Sequence, residues 1–494
     1  METNETSPTL RKPQKIWQQI GTPRALWISI AVVVSVRLGF FLAFGRYSPL
    51  RGDENYYWRN TQQILDLTFI EPVPGQNLKE TLSEIVANGW FVPGMSVILA
   101  PARLVTDQVW GARLWVGIVS LGVLLLVVRR LWTMYNPSVA VITFLIVGLL
   151  PYTVWFSMTF WGGHIGGSIM VLNILWTIRM TREIRAGHDP PIKSLLLLGI
   201  SIAACVYIRP TTMGQLAPIA GLFFFAYAEH GSFVDALKRS VPRWAIVFAT
   251  FLVLFLPWNI ALMVKFDGPF LVVTSRPLAQ IIQFGDPAEL EEVGSSFGDL
   301  FIHLQLLAEE RDEGFYSVTM SERERILSDV TFDDRISTIK TSSRNFFDRE
   351  NEFLTAAMRK AAENESFPMS KAESNTLRAR ITGINSWMWL GLTIVSLYAV
   401  LRRWKIWDGD GFLGIALQAS MIMALFQPLN GGPHGRHISF LVMLFAVSSA
   451  LAINTRLNPA YERPPAIQWP RAERAAANTF LVLILVYLAF YFVY

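Results

Sequence analysis

The chain has 494 residues, 52% hydrophobic and only 16% charged, with a mean hydropathy of +0.36 and a formal net charge of +5. Soluble domains carry about 25% charged residues, so these figures exclude a soluble domain and a disordered protein. Unbroken apolar runs recurring almost from end to end exclude a single-span receptor and argue against an outer-membrane barrel of short alternating strands. Cys205 is the lone cysteine, which excludes an intrachain disulfide and any CxxC site, and none of the six histidines falls in an HExxH pattern.

Residues 1–24 form a tail carrying Arg11, Lys12, Lys15 and Arg24, which the positive-inside rule places in the cytoplasm. Apolar spans are predicted at 25–44, 109–128, 138–156, 162–178, 194–208, 213–228, 244–264, 384–401, 411–428, 436–454 and 478–494. About 11 transmembrane helices of roughly 20 residues each would take close to half the chain. The first span has a basic front and no small-residue cleavage site after it, and reads as an uncleaved signal anchor, with cleavage the competing reading. A further apolar stretch at 91–105 is short and contains Pro93, Gly94, Pro101 and Arg103, so it is expected to lie along the interface. With that stretch left out, every even-numbered span ends on basic residues: Arg129 and Arg130, then Arg179, Arg182 and Arg185, then Lys238, Arg239 and Arg243, then Arg402, Arg403 and Lys405, then Arg456. Counting it as a span would turn all of these clusters outward.

The expected fold is an all-α polytopic membrane protein with interfacial helices and a large external cap. An N-terminal transmembrane module, 25–264, carries an external loop at 46–108. A polar external loop follows at 265–383, and a C-terminal transmembrane module at 384–494. Between 286 and 380 there are 20 acidic against 12 basic residues, which suits an outer face. Within that loop, Glu322–Ile339 and Glu350–Glu363 read as amphipathic helices of a solvated cap or of a lid over substrate. The sequence shows no 20–50-residue repeat and no sign of the inverted halves of many transporters.

Arg51-Gly52-Asp53-Glu54-Asn55-Tyr56-Tyr57-Trp58 follows the first span by a few residues, so it sits at the outer membrane surface. Glycine permits a turn, two carboxylates follow, then three aromatics suited to the interface. In an extended segment adjacent side chains point opposite ways, so one carboxylate can face a cleft while the other anchors the loop. A plain loop acid beside an aromatic belt would look the same. Context comes from cations on the same face: Arg209 after the fifth span, Lys265 and Arg276 after the seventh, and His434, Arg436 and His437 before the tenth. Each alone reads as a snorkelling side chain. Together on one face they suggest an anion, and guanidinium favours phosphate. Arg37, inside the first span, either snorkels or pairs. A phosphate at the membrane surface beside a carboxylate suits transfer from a polyprenyl-phosphate sugar. Phosphate is a good leaving group, so one general base and a set of cations suffice, whereas glycoside hydrolysis usually takes two carboxylates.

These residues carry a resemblance. The chain resembles the membrane glycosyltransferases of the GT-C class, especially bacterial relatives of the protein O-mannosyltransferases and the lipid A aminoarabinose transferase. The matching features are Asp53-Glu54 with Tyr56 and Tyr57, Pro93-Gly94 opening an interfacial helix, Arg129-Arg130-Leu131-Trp132, Arg209-Pro210, Pro257-Trp258-Asn259 with Phe266-Asp267-Gly268, Gly285-Asp286-Pro287, and Arg436. The resemblance implies an inverting glycosyltransferase. Asp53 or Glu54 would be the catalytic carboxylate, with Asp53 preferred as base. Arg209 and Arg436 would contact the donor phosphate, with Arg276 and Lys265 as further candidates. Tyr56, Tyr57, His164 and His437 are candidates for the substrate cleft. No metal or cofactor is implied beyond the lipid-linked donor.

The chain departs from the pattern at Trp161-Gly162-Gly163-His164-Ile165-Gly166-Gly167, where relatives often carry Glu. There either His164 substitutes or the glycines serve close packing, the preferred reading. It departs also at Ser275-Arg276-Pro277 and at His437. The implied partners are the bilayer, a polyprenyl-phosphate sugar and a glycan, glycolipid or protein acceptor, with no nucleic acid. The implied location is a bacterial inner membrane with the site facing the periplasm. A transporter or flippase of a lipid-linked glycan is the alternative, and a non-catalytic assembly subunit a third. Sugar and acceptor stay open.

Overall fold

The computed structural model describes residues 12–68, 83–87, 89–228, 232–269, 273–331, 333–335, 337–338, 346–364, 367–402 and 441–457, and these are helical with no strand. Helix α1 covers Lys12–Ile20 and α2 Pro23–Phe40. The Thr22 side chain caps α2 by accepting from the Ala25 amide at 3.2 Å, and Pro23 suits the first helical position. A π turn, Phe41–Gly45, extends α2 outward. Then come α3 (Asp53–Thr68), α4 (Gly94–Val105), α5 (Val109–Met134) and α6 (Pro137–Leu149). Extended Leu150 separates α6 from the short α7 (Pro151–Phe156), because Pro151 disfavours helix at the preceding residue. The bundle continues with α8 (Gly163–Arg185), α9 (Ile192–Ile208), α10 (Leu216–Ala228) and α11 (Phe233–Phe266).

Among the described residues three helices are long and apolar enough to cross a membrane, Pro23–Gly45, Val109–Met134 and Phe233–Phe266, so the chain is a multi-pass membrane protein. Other predicted spans correspond to shorter helices or to helices with more polar surfaces. Proline ends α6 early, Arg209-Pro210 ends α9, and α8 carries three basic side chains, Arg179, Arg182 and Arg185, toward its end. The predicted spans 411–428 and 478–494 lie outside the described residues. Helix α8 is the hub, buried on nearly every side, as expected of a helix surrounded by others. It packs against α5, α9 and α10.

The loop after α11 folds into a cap of α12 (Ser275–Phe284), α13 (Pro287–Val293), α14 (Phe297–Arg311), α15 (Phe315–Leu327) and α16 (Phe346–Ala362). The amphipathic stretch expected from Glu322 thus begins earlier and breaks at Leu327. Glu322 fastens α14 to α15, accepting from Arg311 at 3.0 Å and Arg325 at 2.8 Å. Helices α17 (Lys371–Arg402) and α18 (Leu441–Leu457) return to the bundle.

Different charged and polar groups meet at the two ends of the bundle. At one end, Trp17 donates to Asn454, Ser138 to the Trp17 carbonyl, Arg182 to the Met134 carbonyl, and Arg243 pairs with Asp189 at 2.6 Å. Arg130 lies within electrostatic range of Arg179 and Arg182 there. Asp53 and the residues around it lie at the other end.

Close packing at that end depends on Gly94, where a Cβ would stand 2.4 Å from the Tyr207 carbonyl oxygen, a backbone atom that cannot yield. Gly94→Ala should cost about 1–3 kcal/mol by overpacking. Gly122→Ala, whose Cβ meets nothing within 4 Å, should stabilise its helix by about 0.5–1 kcal/mol. Thermal melting of the two variants in detergent measures both signs.

The cap has a pH signature. Burial pushes the Glu322 carboxyl upward, but Arg325 and Arg311 outweigh it and hold it below its ordinary value of 4.5. A depressed carboxylate adds stability that is present above the unfolded pKa and lost as pH falls through the folded one. The melting-temperature gap between wild type and Glu322→Gln should therefore be wide at neutral pH and close in acid below that value.

Candidate functional site

Gly52, in the left-handed region at φ +48°, turns the chain into α3, so Asp53 and Glu54 form the first turn of a helix and not an extended segment. Successive helical residues differ by about 100° in direction, which again sends the two carboxylates to different surroundings. Asp53 is half-buried. Glu54 is fully buried and held by a two-pronged ion pair, Oε1 to Arg113 Nη1 and Oε2 to Arg113 Nη2, both at 2.8 Å. Its remaining lone pairs accept from the Phe160 amide at 3.2 Å and the Arg51 amide at 3.1 Å. Arg113 also donates to the Pro49 carbonyl at 2.9 Å. The residue beside Asp53 is thereby fixed to the start of α5 and to the loop before α8.

Arg209 reaches the same loop, with Nη1 3.5 Å from the carbonyl of Trp161, the residue after Phe160. Its backbone is held from below. Thr212 donates to the Arg209 carbonyl at 2.7 Å, Gln215 to the Thr212 carbonyl at 3.0 Å, and Asn173 of α8 to Gln215 at 2.9 Å. Gly166 allows the approach, since a Cβ there would stand 3.0 Å from Arg209 Cβ. The glycines of this stretch therefore do serve packing. His164 is nonetheless engaged as well, at 3.3 Å from Arg37, so Arg37 pairs instead of snorkelling.

The other expected residues fall in several places. Tyr56 is half-buried, stacked on Phe91 at 5.0 Å, with Arg59 over its ring. Tyr57 is buried and packs with Met95 and Leu99 of α4. Lys265 donates to the Ser83 carbonyl at 2.5 Å, on the flank where α11 meets the segment before α4. Arg276 is the second residue of α12. Arg436, His434 and His437 lie outside the described residues. Arg113 was not expected. Its signal was available, a lone arginine within an apolar run. Among the described residues, no three His, Cys, Asp or Glu side chains come together.

The cap grips the Asp53 segment from two sides. Phe91 meets Trp90, and Trp90 meets Phe297 and Phe301 of α14 at 5.8 and 5.6 Å. Opposite, Phe367 packs on Phe44 and Tyr47 at 5.8 and 5.5 Å, and Arg51 feels Arg359 and Glu363 near the end of α16.

No protein-family model and no curated protein matches the chain. Similar solved structures include the archaeal oligosaccharyltransferase AglB from Archaeoglobus fulgidus in complex with an inhibitory peptide and a dolichol-phosphate, at 15% identity and TM-score 0.45, covering 96% of this chain and 56% of that one. The Archaeoglobus fulgidus oligosaccharyltransferase complex with Zn and sulfate gives 15% identity, TM-score 0.46, and 95% and 52% coverage. ArnT from Cupriavidus metallidurans in the apo state gives 13%, 0.36, and 88% and 78%. The chain spans about half the length of the oligosaccharyltransferase chains. The likeness is distant, and the functional assignment rests on this chain's own residues.

Removing one partner of a buried ion pair strands the other charge, at a cost of about 3–5 kcal/mol. Glu54→Gln and Arg113→Leu should each lower the melting temperature of the purified protein, while Asp53→Asn should melt close to wild type. Co-melting of Glu54→Gln with wild type would show that the pair does not brace this end.

Proposed function

We propose that the protein is an inverting glycosyltransferase that moves a sugar from a polyprenyl-phosphate donor to an acceptor hydroxyl on a cell-envelope glycan, glycolipid or protein. In this reading it works at the periplasmic face of a bacterial inner membrane. The observation that supports it best is the shared loop: Glu54 grips Phe160, Arg209 grips Trp161, and Asp53 stands beside Glu54. A carboxylate and a guanidinium are thus tethered to adjacent residues at the end of the bundle covered by the cap.

Asp53 is the general base in this scheme. It takes the proton of the acceptor hydroxyl as that oxygen attacks the anomeric carbon from the face opposite the phosphate. The bond from the anomeric carbon to the phosphate oxygen breaks, its electron pair stays with the polyprenyl phosphate, and configuration inverts. Arg209 stabilises the charge growing on the phosphate, and Arg436 is assigned the same duty, with Arg276 and Lys265 as further contacts at the rim. Glu54 is assigned a positioning role, because Arg113 and two backbone amides occupy its oxygens. Tyr56, His164 and His437 are assigned to the cleft, and Tyr57 to the packing beneath it. The acidic cap is proposed to select the acceptor.

General-base loss typically costs about 10²–10⁴ in rate. Asp53→Asn in reconstituted membranes supplied with labelled lipid-linked sugars should lose transfer on that scale while inserting and melting normally. Transfer at the wild-type rate would remove Asp53 from catalysis. Mass spectrometry of envelope glycans from cells with and without the protein identifies sugar and acceptor.

A further inference from the structure

Arg37 and His164 are each more than nine-tenths buried, on α2 and in the first turn of α8, with Arg37 Nη2 3.3 Å from His164 Nε2. A guanidinium only donates, so His164 Nε2 accepts this bond and the ring proton sits on Nδ1. Arg37 Nε, Arg37 Nη1 and His164 Nδ1 have no hydrogen-bond partner among the described residues. All three are donors. A buried cluster that offers donors and lacks acceptors calls for a ligand rich in acceptor oxygens.

The surroundings point the same way. Gly162 starts α8 in the left-handed region at φ +69° and supplies no side-chain cap, so the first-turn amides lack the usual capping acceptor. Those amides and the helix dipole favour an anion. Arg209 packs against the same turn through Gly166 and reaches Trp161 just before it. Two guanidinium groups, an imidazole N–H and an uncapped helix start thus surround one turn. We infer that Arg37 and His164, at the start of α8, bind the phosphate of the lipid-linked donor.

This inference rests on the proposed transferase reading, and the test separates the two. Binding of undecaprenyl phosphate, undecaprenol and inorganic phosphate to the full chain in nanodiscs is measured for wild type, Arg37→Gln, Arg37→Lys and His164→Gln, each checked by melting. Wild type should bind the lipid phosphate more tightly than either other probe. Arg37→Gln and His164→Gln should each weaken it about tenfold or more, with Arg37→Lys recovering part and undecaprenol binding equal in all four. Wild-type preference for the lipid phosphate that persists in both Gln variants overturns the site and leaves the transferase reading standing. Equal wild-type affinity for undecaprenol and its phosphate overturns the transferase reading itself. Inorganic phosphate bound as tightly as the lipid, and lost in the same variants, makes this a free-phosphate site and overturns the assignment to the donor. Should Arg37→Gln fail to fold, His164→Gln decides: full binding overturns the site, and a loss there supports it.

Discussion

The buried pair between Glu54 and Arg113 fixes the Asp53 end of the bundle. Two charges withdrawn from water need every lone pair and most protons satisfied, or the desolvation penalty exceeds their attraction. Here Glu54 has Arg113 on both oxygens, the Phe160 amide on one and the Arg51 amide on the other. That demand is met in one arrangement, in which α3, α5 and the loop before α8 converge. The pair thereby sets where Asp53 stands. Its contribution is more to geometry than to net stability, since a buried pair gains little over apolar packing of the same shape.

A second constraint is backbone proximity. Gly94 lets α4 sit against the end of α9, Gly162 bends the loop into α8 in a left-handed conformation, and Gly166 admits Arg209. Pro151 ends α6 and confines α7 to six residues, leaving Ser157–Trp161 buried among longer helices. The polar chain from Asn173 through Gln215 and Thr212 then braces Arg209 from within the bundle. Such a chain serves as internal glue, because each polar group finds its partner inside the protein, where no water is at hand.

Much of this was legible in the sequence. Apolar runs and basic clusters indicate which helix ends lie together, because lipid and charge asymmetry act on composition. Pro93-Gly94 marks the start of α4 for the same local reason that it does so in the fold. The division of labour between Asp53 and Glu54 was open, since the direction of each side chain depends on whether the segment is helical or extended. Arg113 was hidden by its apolar neighbours: a partner 59 residues away makes it legible only in three dimensions. The break at Leu327 that ends α15 and the aromatic path from Tyr56 to α14 are likewise tertiary facts, with no periodicity of their own.

Two buried arginines, Arg37 and Arg113, show how one chain treats the same side chain in opposite ways. Arg113 has its charge neutralised by a carboxylate, and its guanidinium is occupied on both terminal nitrogens. Arg37 meets a histidine, which adds no negative charge, and keeps two nitrogens without a partner among the described residues. Burial disfavours an unneutralised cation at both positions. A fold selected for stability alone would have given Arg37 an acid or an apolar replacement. Retaining it beside the uncapped start of α8 fits a counter-charge that arrives from outside the chain, and a lipid-borne phosphate is an anion that can enter between helices while its tail stays in the bilayer.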